Sequence, residues 1–145
     1  MAKRREIEIP LILVELEDDN YHILIETQFS DQEFGKWVID TGASKTVFDI
    51  NQDEKYTLLD NQLIDIESTG IGNVKIETKT GIIANLKIGK IPVSEMHVGL
   101  IDLSHLNTLY KQYTNEQIFG LIGSDFLFRN KAVIDYKNLK LILQY

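Results

Sequence analysis

The chain has 145 residues, 43% of them hydrophobic and 26% charged, with a net charge of -7 and no cysteine. That length suits one domain of the common size, about 100–150 residues, able to bury roughly 68–70% of its unfolded surface without staples. The composition excludes collagen, coiled-coil arrays and long disorder, the missing cysteine excludes a disulfide framework and thiolate chemistry, and the acidic balance argues against a nucleic-acid partner.

Met1-Ala2-Lys3-Arg4-Arg5 leads into alternation. The apolar run Pro10 to Val14 is too short for a signal segment, and no small-residue cleavage site follows it. No stretch approaches the ~20 apolar residues of a membrane span. The expectation is a cytoplasmic protein with no membrane partner.

The dominant period is two, so the fold class expected is mainly β. Ile7, Ile9, Leu11 and Leu13, continuing to Val14 and Leu16, read as a first strand. Tyr21 to Phe29 is a second, after the turn-like Asp18-Asp19-Asn20. Lys36 to Asp40 is a short apolar strand running into Thr41-Gly42. The polar stretch Asn51 to Asp65 reads as a long loop with some strand. Val74 to Thr78 and Ile82 to Ile88 flank Lys79-Thr80-Gly81, a hairpin signal. Ile91 to Leu103 is another strand-rich run. Ala132 to Tyr136 and Leu139 to Leu143 flank Lys137-Asn138, again hairpin-like. Helical spacing is confined to Ser104–Tyr113, with Leu106, Leu109 and Tyr110 on one face and Ser104 as N-cap, and to a turn or two at Asp125–Arg129. There is no internal repeat, low-complexity segment or linker.

Two segments carry chemistry. In Trp37-Val38-Ile39-Asp40-Thr41-Gly42-Ala43-Ser44 an apolar strand ends in a carboxylate and turns at once. Gly42 permits a positive φ there, and the arrangement presents Asp40 among backbone N–H groups and the Thr41 and Ser44 hydroxyls. The plain alternative is an aspartate in an ordinary turn. In Ile118-Phe119-Gly120-Leu121-Ile122-Gly123-Ser124-Asp125-Phe126-Leu127 an apolar run meets a glycine corner and a short helix, with Asp125 as N-cap or first-turn carboxylate. Alone, this second segment reads as core packing.

Together and in this order, the two segments resemble the signatures of the retropepsin-like aspartic proteases. Asp40-Thr41-Gly42-Ala43-Ser44 resembles the active-site loop, and Leu121-Ile122-Gly123 followed by Asp125-Phe126-Leu127 resembles the second signature. Ala132-Val133-Ile134-Asp135-Tyr136 is similar to the strand after that helix. The match runs from about Glu26 to the C-terminus and is to the single-motif branch, not the two-lobed pepsins.

The resemblance implies an acid-protease β-barrel, closed or partly open, over a single domain at 1–145. Strands would occupy 1–30, the catalytic loop 37–44, the flap 64–78 and the second signature with its helix 118–136. It implies a peptide-bond hydrolase with no cofactor and no metal. One Asp-Thr-Gly per chain implies a homodimer, since the mechanism needs two carboxylates and a two-fold axis supplies the second Asp40. Asp40, Thr41 and Gly42 would be the catalytic loop, with Thr41 bracing the two copies across the axis. Ala43 and Ser44, the latter hydrogen-bonded to the Asp40 carboxylate, would contact the peptide or protein substrate. A flap is expected at 68–73, with Gly70, Ile71 and Gly72 binding substrate backbone, though the same residues suit a plain surface hairpin.

Other chemistries lack their patterns. His22, His97 and His105 have no metal-ligand spacing and read as surface or loop histidines. Ser44 and Ser124 stand outside any Gly-x-Ser-x-Gly. Lys36 and Lys45 read as solvated, and Trp37 as packing beside the loop. The alternative to an endopeptidase is a non-catalytic dimeric peptide-binding or scaffold module of the same fold. A monomeric small-ligand barrel is a third class.

Overall fold

Among the described residues, alternating apolar and polar residues place twelve strands around one main core. The computed structural model describes residues 4–59, 62–67 and 73–145, with 62–67 and 73–78 described by backbone alone. The first apolar run is two strands, β1 (Glu6–Pro10) and β2 (Ile12–Glu17), where one was expected. Proline removes a ladder donor, and at Leu11 the chain leaves one sheet for another, its N–H donating to Leu139 C=O at 2.9 Å. β1 then pairs with β12 (Lys140–Gln144), which pairs with β11 (Val133–Asp135), giving the order β1-β12-β11. This confirms the C-terminal hairpin.

The larger sheet contains β2, β3 (Asn20–Gln28), β4 (Phe34–Ile39), β10 (Ile118–Ile122), β5 (Val47–Asp49), β9 (Ile91–Ile101), β8 (Asn73–Ile88) and β6 (Thr57–Leu58), in that order. β3 also pairs with β8, through Thr27 with Ile88 and Gln28 with Lys87. That extra pairing closes β3-β4-β10-β5-β9-β8 into a ring, so the mainly-β class expected from the period and the barrel implied by the resemblance are both present. Between β5 and β6 lies one 3-10 turn, Asp53–Lys55.

The hairpin expected at Lys79-Thr80-Gly81 does not exist. β8 is one strand of 16 residues running straight through. Gly81 serves close approach here, because a Cβ would stand 3.1 Å from the Tyr56 ring and 3.2 Å from Thr57 C=O. β7 (Gln62–Glu67) pairs antiparallel with β8 from Gln62–Thr78 to Glu67–Asn73. The connecting residues 68–72, including Gly70, Ile71 and Gly72, lie outside the described residues.

Two helices occur among the described residues, α1 (Ser104–Tyr113) and α2 (Ser124–Arg129). Ser104 is the first helical residue of α1, and the N-cap position is Leu103. The Ser104 N–H is taken by Asp102 Oδ1 at 2.9 Å. α1 lies on the outer face of the barrel. There Tyr110 joins Val14, Leu16, Leu24, Val38, Leu103 and Ile118 in a second core cluster. Neither helix is long and apolar enough to cross a membrane.

The ring interior is filled by Ile25, Trp37, Phe48, Ile83, Leu86, Ile88 and Ile122 among others. Trp37 and Phe48 stack at a centroid distance of 5.2 Å. The indole N–H of Trp37 donates to Thr27 Oγ1 at 2.8 Å inside the core. Thr27→Val keeps the shape and removes the acceptor. It is expected to cost about 1–3 kcal/mol, the penalty for a buried donor left unpaired. Denaturant unfolding followed by emission of Trp37, the single tryptophan, measures it.

Candidate active site

β4 delivers Asp40 to the end of a buried strand. The Asp40 N–H donates to Ile122 C=O at 2.9 Å, so β4 stays pinned to its neighbour up to the carboxylate. The chain then turns, with Ala43 N–H on Asp40 C=O at 3.1 Å and Gly42 N–H on Asp40 Oδ1 at 3.0 Å. Gly42 does not use the left-handed conformation expected of it, since the positive-φ glycine among the described residues is Gly89. Its role is proximity: a Cβ would sit 3.3 Å from Asp40 Oδ1. Asp40 is half-buried, Thr41, Gly42 and Ser44 are exposed, and Ala43 is half-buried. The Ser44 hydroxyl makes no hydrogen bond to Asp40 among the described residues, so the contact expected of it is supplied by the Gly42 N–H instead.

The loop is held from beneath by the second segment. β10 lies between β4 and β5, parallel to the first and antiparallel to the second. The loop at 40–46 therefore arches over the end of β10. Two glycines make this possible. At Gly120 a Cβ would stand 2.4 Å from the Trp37 ring and 2.6 Å from Val47 C=O. At Gly123 it would stand 2.7 Å from the Lys45 carbonyl carbon and oxygen and 2.8 Å from Ala43 C=O. Ser124 N–H donates to Ala43 C=O at 2.7 Å.

The strongest brace uses a residue that the sequence does not single out. Thr46, itself buried, accepts the Gly123 N–H at 3.1 Å and donates its hydroxyl to Asp125 Oδ1 at 2.7 Å. Its N–H donates to the same oxygen at 3.0 Å. Asp125 is thus a first-turn carboxylate, with Phe126 N–H also on Oδ1 at 2.8 Å. The N-cap position of α2 is Gly123. The signal for Thr46 is faint, a lone hydroxyl before the three-residue strand Val47–Asp49, with its partner 79 residues away.

Burial pushes the Asp125 carboxyl up, but the hydrogen bonds from the Thr46 hydroxyl, Thr46 N–H and Phe126 N–H, with the nearby Arg129 charge, outweigh it and hold it below the usual carboxylate range. A depressed folded-state pKa stabilises the fold above the unfolded value, and that stabilisation is lost as pH falls through the folded value. Thr46→Val is therefore expected to cost about 1–3 kcal/mol near neutral pH. The loss relative to wild type should shrink as acid protonates Asp125. Urea unfolding at several pH values checks both.

Asp40 opens onto a pocket of about 270 Å³ lined also by His22, Val38, Leu106, Leu121 and Tyr136. His22, expected on the surface, is half-buried on β3, with Nδ1 2.7 Å from the buried Tyr110 hydroxyl. Burial pushes the Tyr110 phenol up, so it stays protonated. Lys36, expected to be solvated, bridges Glu26 at 3.1 Å and Glu116 at 3.0 Å. Asp135 stays at its hairpin, accepting from Asn138 N–H at 3.0 Å.

A sequence model of the family described as "Aspartyl protease" matches residues 25–126, which is 102 of 145 positions. The chain belongs to the aspartyl protease family. The structure is similar to the crystal structure of a retropepsin-like aspartic protease from Rickettsia conorii, with a TM-score of 0.51 and 20% identity over 100% of this chain and 97% of that one. It is also similar to the retroviral protease-like domain of Ddi1 from Leishmania major, with a TM-score of 0.46 and 14% identity over 83% and 91%. No curated protein matches. The aspartyl protease chain thus has the retropepsin-like fold, and both expected signatures fall in it: the Asp40 loop and the 118–127 segment meet at one point of the barrel.

Proposed function

We propose that this aspartyl protease chain is an endopeptidase that works as a homodimer in the cytoplasm. Water would be activated between Asp40 of one protomer and Asp40 of its partner. The observation that carries the reading is the loop itself: one half-buried carboxylate per chain, at the end of a pinned strand, with Thr41 exposed beside it. Two such loops facing across a two-fold axis supply two carboxylates from one residue.

One Asp40 is ionised and takes a proton from the water, whose oxygen attacks the scissile carbonyl carbon. The other is protonated and gives its proton to the carbonyl oxygen, so the protons belong to the pair. Collapse of the tetrahedral diol breaks the C–N bond, with one diol hydroxyl returning its proton to the second Asp40 and the first Asp40 giving its proton to the leaving nitrogen. Gly42 and Ala43 leave room for an extended peptide, and Thr41 braces the loops. The flap expected at 68–73, of which 68–72 lie outside the described residues, would close over the substrate and exclude water.

The test is cleavage of an unstructured peptide mixture by the purified protein, with sedimentation run at the same concentrations. The expected result is cleavage that tracks the dimer and is blocked by a peptide carrying a hydroxyl in place of the scissile amide. A folded dimer that cleaves nothing would favour the non-catalytic module, and a lasting monomer would remove the shared dyad.

A further inference from the structure

A second pocket lies across the sheet from the one that holds Asp40, and its charged lining residues are basic. It has a volume of about 420 Å³, with Val47, Leu59 and Ile101 among its apolar lining residues. Lys45, Lys79 and His97 also line it, and none of the described lining residues is acidic. This is notable in a chain with 22 Asp and Glu against 15 Lys and Arg. Both lysines are exposed, and among the described residues no carboxylate forms a salt bridge with either.

Strand register places this pocket relative to the catalytic loop. Val38 on β4 pairs with Leu121 on β10, Leu121 with Val47 on β5, Val47 with Gly99 on β9, and Gly99 with Thr80 on β8. These five residues form one row across the sheet. Val38 and Leu121 line the pocket that holds Asp40, and Val47, Gly99 and Thr80 line the basic one. With strands about 4.8 Å apart, Val47 is two spacings from Val38 and Gly99 three, about 10–14 Å. An extended peptide covers that span in about three or four residues.

We infer that this pocket selects an acidic side chain a few residues from the scissile bond, so that the substrates are peptides with a carboxylate on one or both flanks of the cleavage site. The inference rests on the endopeptidase reading for its position along the substrate. The recognition chemistry stands without it: the apolar floor takes the methylenes of a glutamate, and the two ammonium groups take its carboxylate. The pocket also discriminates, because a cationic side chain would meet the like charges of Lys45 and Lys79 there. A two-fold dimer carries two such pockets, so the preference is expected at symmetric positions on either side of the cleaved bond.

A matched peptide series tests this, with Glu, Gln or Lys walked through four positions on each side of one cleavable bond. At one or two positions the kcat/KM for Glu is expected to exceed that for Gln by about two- to fivefold, the size of an exposed charge contact. In 1 M salt, with a screening length of about 3 Å, the excess should vanish. In Lys45→Glu/Lys79→Glu the order should invert to favour Lys, and Lys45→Gln should weaken it, with Trp37 emission showing both variants folded. A Glu-to-Gln ratio near one at every position, or a ratio the variants leave unmoved, overturns the inference. If wild-type protein cleaves none of the series, the endopeptidase reading has failed, and fluorescence anisotropy of the same labelled peptides then decides. Tighter binding of the Glu peptide, inverted in the double variant, supports the acidic pocket, and equal binding overturns it.

Discussion

Asp40→Asn is expected to lower the rate of peptide hydrolysis by about 10²–10⁴-fold, the range for losing a positioned proton-transfer group, and to leave the chain folded. Asparagine keeps the side-chain oxygen that accepts Gly42 N–H, so the turn survives. It cannot take a proton from water, so the step that makes the nucleophile is lost. Dimerisation makes the result sharper. When wild-type and Asn chains are mixed in equal amounts and exchange freely, about one quarter of the dimers carry two aspartates. Activity is then expected to fall to about one quarter of that of the same total amount of wild-type chain. A fall to about one half would mean that each protomer works alone, and undiminished cleavage by the pure variant would remove Asp40 from the chemistry.

Gly123→Ala is expected to destabilise the fold by about 3 kcal/mol or more, at the upper end of overpacking penalties. The new methyl would press on the Lys45 peptide and on Ala43 C=O, both under 3 Å away. Those groups are backbone, and the Ala43 carbonyl is already fixed by Ser124 N–H and its loop by Thr46 on Asp125. Relief requires lifting the loop that carries Asp40, so residual activity should fall together with stability. Gly99→Ala is the internal control. Its nearest Cβ contact is 3.4 Å, ordinary packing, and its cost should stay within about 1 kcal/mol. Urea denaturation of the two variants, with equal costs, would show that close approach at Gly123 is not what the loop depends on.

Much of this was legible because the signals were local. Period-two alternation identified β3, β4, β9 and the C-terminal hairpin, and the Asp40 loop stood out as a carboxylate at the end of an apolar strand. Non-local contacts were harder to read. Gly81 looks like a turn residue and is instead a gap for the Tyr56 ring, since a glycine that allows a turn and a glycine that allows contact are written alike. The first alternating run supplies two sheets, and only its pairing with β12 reveals the break at Leu11. Thr46 and His22 carry no spacing signal, because their partners Asp125 and Tyr110 lie 79 and 88 residues away. The lysines of the basic pocket are 34 residues apart, and the pairing of β5 with β9 and of β9 with β8 brings them to one site.

The insertion of β10 between β4 and β5 also bears on the order of events in the life of the chain. Asp40 and its turn leave the ribosome first, and the strand that pins them begins 78 residues later, with the Asp125 clamp after it. Until residues 118–125 thread into that slot, the two halves of the loop have nothing between them. Contacts this distant in sequence are slow to form. A nascent chain that stops short of residue 118 is therefore expected to carry the aspartate without the strand that pins it.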